Sequence, residues 1–210
     1  MTAKSIAWFV MTLLALGVAL YAASVVFVPD GRSPVVLSLV ERLPLAALVH
    51  FTGGAIALAV GAFQFSARLR ARALPVHRWS GRIYVISILA SGVAGLTLAV
   101  NSTAGGWARW GFGLLAVAWL ATTTVGYLRV RGGNVTGHRR WIIRSYALTL
   151  AAVTLRLYMP LAMVMDWPME IAYPAIAWLC WVPNVFVAEW IVRSSARPVP
   201  RSALAERSAA

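Results

Sequence analysis

Six stretches of this chain, each close to twenty mostly apolar residues long, restrict its fold more than any other feature. A bilayer's hydrocarbon core is about 30 Å thick and offers no partner to a bare backbone N–H or C=O, so about twenty helical residues are needed to cross it. The stretches lie near 5–28, 44–65, 83–100, 110–128, 141–165 and 171–192, and predict an all-α polytopic membrane protein with six transmembrane helices. The first follows Lys4 and is longer than the apolar region of a secretory leader, so it reads as an uncleaved helix. Residues 1–192 form the transmembrane domain and 193–210 a basic tail, rich in Ser, Ala, Arg and Pro, that reads as disordered.

Charge gives the orientation. Nineteen Lys and Arg face six Asp and Glu, a net +13, which in a soluble chain would raise nucleic acid as a partner. Here the hydropathy is +0.76 on average and the basic residues gather at span ends, so the partner is the bilayer and its anionic headgroups, not nucleic acid. With the N-terminus inside, fifteen of them fall on the cytoplasmic side: Lys4, those between Arg68 and Arg82, those between Arg129 and Arg144, and those from Arg193 on. Only Arg32, Arg42 and Arg109 fall on the other. Both termini are therefore expected in the cytoplasm, in the manner of a bacterial inner-membrane protein. The single cysteine, Cys180, excludes an internal disulfide, a thiolate metal cluster and haem attachment through paired cysteines.

The chain repeats itself. His77-Arg78-Trp79 with Arg82 and Tyr84 opens the third span, and His138-Arg139-Arg140-Trp141 with Arg144 and Tyr146 opens the fifth. The histidines are 61 residues apart, so 44–100 and 110–165 read as a duplicated helical hairpin, together a four-helix core. Ligand sites in such cores are built from side chains on facing helices. His77 and His138, on facing helices at one depth, suit two axial ligands of a haem iron, with Arg82, Arg144, Tyr84 and Tyr146 beside them. The alternative is a pair of interfacial imidazoles among phosphate headgroups.

Two further residues need a reason. Arg156 falls well inside the fifth span and His50 about two turns into the second from the opposite face. A rise of about 1.5 Å per residue puts them at similar depth, where they would line a pocket for an anionic group, a quinone oxygen or a lipid head. The alternatives are an Arg156 that snorkels to Asp166 or Glu170, and a His50 that bonds to a neighbouring helix beside Gly53 and Gly54. Glu189 on the sixth span is placed to pair with Arg82 or Arg144. Pro160, Pro174 and Pro183 are expected to bend spans five and six. No phosphate loop, zinc-protease motif, nucleophile elbow or dinucleotide fingerprint is present.

Gly61-Ala62-Phe63-Gln64-Phe65, His77 to Arg82 with Tyr84, His138 to Trp141 with Arg144 and Tyr146, Ala151 to Arg156, and Asn184 with Glu189-Trp190 resemble domain of unknown function 2306, a six-helix bacterial membrane family. That resemblance covers His50 to Glu189 and implies the fold, with no activity attached. A looser likeness is to the cytochrome b561 class, whose four-helix core holds two haems between histidines of facing helices. His77 and His138 match its cytoplasmic pair, whereas span four has no histidine to complete the outer pair with His50. The likeness implies a redox protein with one haem b, exchanging electrons with quinone or a membrane redox partner. The other reading is a cofactor-free protein that binds lipid, quinone or a partner through its basic face and the Arg156 pocket.

Overall fold

The computed structural model describes residues 3–28 and 34–195, and every element in them is helical. The helices are α1 Ala3–Phe27, α2 Pro34–Arg42, α3 Pro44–Gln64, α4 Ala67–Arg72, α5 Leu74–Val100, α6 Gly105–Arg131, α7 Val135–Thr149, α8 Ala151–Val164, α9 Met169–Leu179 and α10 Val182–Ser194. Six candidate spans result: α1, α3, α5, α6, α7 continued by α8, and α9 continued by α10.

Local chemistry sets their ends. Pro44, Pro75 and Pro183 sit in first turns, where a missing N–H costs no hydrogen bond. The reversal between α6 and α7 passes through Gly133 at φ 76°, a left-handed backbone that disfavours side chains, and Asn134 then caps α7 by accepting from Gly137 N at 2.7 Å.

Helices α3 and α5 pair, as do α6 and α7; α6 packs on α5, and α7 returns to α3, which closes the expected four-helix core. Helix α1 packs outside α3, while α9 and α10 pack against α6 and α7. In lipid no hydrophobic drive holds helices together, so small residues that admit close packing do that work. A Cβ on Gly53 would stand 2.9 Å from Ser87 O, and one on Gly111 would stand 2.9 Å from Ala177 O. Outward-facing Ile86, Val93 and Leu20 are 65%, 59% and 72% exposed and meet hydrocarbon.

The structure changes several boundaries. Helix α5 begins at Leu74, not near 83, so His77 lies in the first turn of the span and not before it. α2 and α4 are additional short helices. The interruptions in spans five and six come at Leu150 and at Cys180–Trp181, whereas α8 runs on through Pro160 and α9 through Pro174. Only the second break fits its expected cause, because Pro183 starts α10. At the first, Thr149 and Thr154 hydroxyls donate back to Ser145 O and Leu150 O, a pattern that competes with the backbone ladder. Asn184 joins the two breaks: its Nδ2 lies 3.2 Å from Ala147 O, 2.9 Å from Thr154 Oγ1 and 3.1 Å from Cys180 O. The expected tail begins with α10 still helical at Ser194; 196–210, with Arg197, Arg201 and Arg207, and 29–33, with Arg32, lie outside the described residues.

Candidate functional site

The polar residues gather at three levels of the bundle. The level farthest from the basic end joins α1, α3, α5 and α8. His50 Nδ1 lies 3.0 Å from Ser91 O, and Ser91 Oγ donates to His50 O at 2.8 Å. Because the Ser91 proton is directed to that carbonyl, Nδ1 carries the imidazole hydrogen and donates it to Ser91 O, which leaves Nε2 as an acceptor. The ring fills the space over Gly95, where a Cβ would lie 2.8 Å from Nδ1. The interhelical hydrogen bond expected as one role for His50 is therefore present.

Arg156 has few partners. One terminal N–H donates to Ala152 O at 3.1 Å on its own helix, and the guanidinium carbon stands 5.1 Å from the centre of the Tyr21 ring. Its Nε is enclosed without a hydrogen-bond partner. Arg156 does not pair with Asp166 or Glu170: among the described residues no carboxylate forms an ion pair with it, and both acids are exposed. A cation held in a spanning segment with a ring face and one carbonyl for company is poorly compensated.

The middle level is a buried hydroxyl chain. Thr123 Oγ1 donates to Trp119 O at 2.7 Å, so it accepts from Ser145 Oγ, also at 2.7 Å; Ser145 in turn accepts from Tyr84 OH at 2.9 Å. Trp119 Nε1 donates to Thr149 Oγ1 at 2.9 Å and Tyr146 OH to Leu58 O at 3.2 Å. Both tyrosine rings lean on Gly61, where a Cβ would stand 2.5 Å from Tyr146 and 2.7 Å from Tyr84. Tyr84 and Tyr146, expected beside a cofactor, are thus core residues that tie the two hairpins together, each 2% exposed. Ser91, Ser145, Thr123, Thr149 and Asn184 went unassigned or undervalued in the sequence because single hydroxyls and amides in a span carry no motif; the i, i+4 spacing of Ser145 and Thr149 was the available signal.

At the basic end the repeat reappears as geometry. Arg82 stands 4.7 Å over the Trp79 ring and Arg144 4.8 Å over Trp141. Those pairs and the two tyrosines are all 62 residues apart, while the histidines are 61 apart, because Arg140 is one extra residue between histidine and tryptophan. One residue turns a helix by about 100°, so the two imidazoles are not equivalent. His138 Nδ1 lies 2.8 Å from Gly126 O, whereas His77 Nδ1 is enclosed without a partner. The two rings lie within electrostatic range of each other, and Arg70 and Arg78 lie near His77. Arg144 is committed to Glu189, its Nε 2.5 Å from Oε1 and a terminal nitrogen 3.1 Å from Oε2, the ion pair expected for that glutamate. No group of three His, Cys, Asp or Glu converges on one point among the described residues.

Fold and polar levels together define a multi-pass helical membrane protein whose four-helix core encloses polar stations at different depths. Its residues 47–192 match the family model described as "Predicted membrane protein (DUF2306)", and the chain belongs to that family of unknown function. No curated protein and no solved structure matches it.

Proposed function

We propose that the protein binds the oxygen-bearing headgroup of a membrane amphiphile at Arg156 and His50. The observation that carries this reading is the Arg156 guanidinium, which lies in a spanning segment with its Nε enclosed and no carboxylate partner among the described residues. An anionic or carbonyl oxygen would supply the missing acceptor, and a ligand hydroxyl would meet His50 Nε2. Lipid phosphate, carboxylate and quinone oxygens share that chemistry. The protein sits in this reading with both termini and its basic end in the cytoplasm, in contact with anionic headgroups.

Native mass spectrometry of protein extracted in mild detergent tests it. Wild type is expected to retain a bound amphiphile that Arg156→Gln releases, while the variant's thermal midpoint stays equal or rises, because an uncompensated charge has been removed. Retention unchanged by the substitution would rule out the Arg156 site.

A second reading, one haem b between His77 and His138, is favoured by a separate observation. The Gly126 carbonyl fixes the His138 ring through Nδ1 and leaves Nε2 to ligate, the arrangement usual for metal-bound imidazoles. When bound, haem would supply one-electron chemistry, with His77 and His138 holding the iron. The residues beside the pair fit less well, since Arg82 and Arg144 are engaged with Trp79 and with Glu189, and the tyrosine layer fills the bundle beneath. Protein from haem-supplied cells would show a Soret band and sharp α and β bands on dithionite reduction, lost in His138→Ala. A featureless visible spectrum from folded protein would retire this reading.

A further inference from the structure

Helices α6 and α9 both begin at the end of the bundle opposite the basic one, and a cavity of about 460 Å³ opens between them. Deeper down the two helices touch, since a Cβ on Gly111 would stand 2.9 Å from Ala177 O. Above that contact Gly105, at φ 86°, and Gly106 carry no side chain, and nothing lies within 4 Å of where a Cβ on either would stand. Trp107, Trp178 and Glu170 bring the chemistry to the lining.

A tryptophan near a span end is ordinary, and so is a carboxylate in the first turn of a helix. Trp178 is held differently from an interfacial indole, because its Nε1 donates to Trp107 O at 3.1 Å and not to a headgroup. That bond fixes the ring. Trp181 lies against it at 5.9 Å and 30°, and the Trp107 ring stands 6.2 Å away at 69°. Glu170 has no ion pair among the described residues, while Arg109 turns to Ser102 O at 2.6 Å and does not line the cavity. Two indoles nearly at right angles beside an unpaired carboxylate suit a cation with an apolar surface. An anion would be repelled by Glu170, and an uncharged guest would dehydrate the carboxylate with nothing in return. A primary ammonium has three hydrogens to place, and Glu170 is the one side-chain acceptor in the lining; a methylated ammonium has none.

We infer that this cavity binds a methylated ammonium group, the indoles attracting its methyl shell through cation–π contact and Glu170 its charge. None of its residues belongs to the Arg156 or His77 levels. A phosphatidylcholine headgroup and free choline share the required chemistry.

Saturation-transfer NMR on choline methyl protons, with the full chain in an uncharged sugar detergent, tests the site. Wild type is expected to bind choline saturably and its uncharged isostere, 3,3-dimethylbutan-1-ol, about tenfold more weakly, equivalent to about 1.4 kcal/mol. Glu170→Gln and Trp107→Ala, both at exposed positions, are each expected to weaken choline about fivefold while the thermal midpoint holds. Trp110→Ala, exposed on α6 outside the cavity, is expected to change nothing. Equal affinity for the two isosteres overturns the cationic reading. Choline binding that is absent from folded wild type, or unmoved by Glu170→Gln and Trp107→Ala, overturns the site. Block of free choline in phosphatidylcholine nanodiscs but not in phosphatidylglycerol nanodiscs assigns a lipid headgroup, and equal binding in both assigns a soluble ligand.

Discussion

Gly61→Val is expected to destabilise the folded bundle by about 3 kcal/mol. A Cβ at this position would lie 2.5 Å from a Tyr146 ring carbon and 2.7 Å from one of Tyr84. Neither ring is free to move, because each is 2% exposed and each hydroxyl is bonded to the other hairpin or to α3. Overpacking of this kind costs about 1–3 kcal/mol, and the hydrogen bonds of the displaced tyrosines add about 1 kcal/mol each. Relief of glycine's poor helix propensity returns at most about 1 kcal/mol. The control is Gly17→Val in α1, where nothing stands within 4 Å of an added Cβ. Denaturant midpoints in mild detergent should fall for the first variant and stay or rise for the second; equal losses would show that the tyrosine layer does not lock the hairpins.

The second large effect concerns Glu189. Its pairing with Arg144 is bidentate, with side chains 21% and 29% exposed, between a surface pair worth under about 1 kcal/mol and a buried one whose rupture costs about 3–5. Glu189→Gln is expected to cost about 2 kcal/mol by the same interpolation. It strands Arg144 and also deprives Arg193, whose Nε lies 3.9 Å from the carboxylate. Arg144→Gln should cost less at the pair itself, since Glu189 keeps Arg193, although loss of the stacking on Trp141 adds about 0.5–1 kcal/mol. A double-mutant cycle separates the terms. A coupling energy near zero would mean that this ion pair adds nothing to what holds the tenth helix to the seventh.

These expectations differ in how far they follow from the chain alone. Gly61 stands in the sequence as one glycine among sixteen, and its role appears only where two tyrosines from different hairpins meet it. The Arg144–Glu189 pair was foreseen, because charges in or near a span are few and their depths can be counted. Depth counting said nothing of Tyr21, which reaches Arg156 from a helix outside the four-helix core.

By itself the sequence determined the number of spans and the family, because apolar length answers to bilayer thickness and a family's motifs survive as a pattern along the chain. Azimuth was decided by tertiary structure. The rotation of each helix about its axis turned Tyr84 and Tyr146 into a shared core, set His77 and His138 in unequal surroundings, and left Arg156 without an acid among the described residues. Tertiary packing also chose where spans five and six break, at a hydroxyl-rich turn and before Pro183, with Asn184 satisfying carbonyls of both. Such choices depend on which neighbour supplies the missing hydrogen bond, and in a bilayer that neighbour comes from another helix.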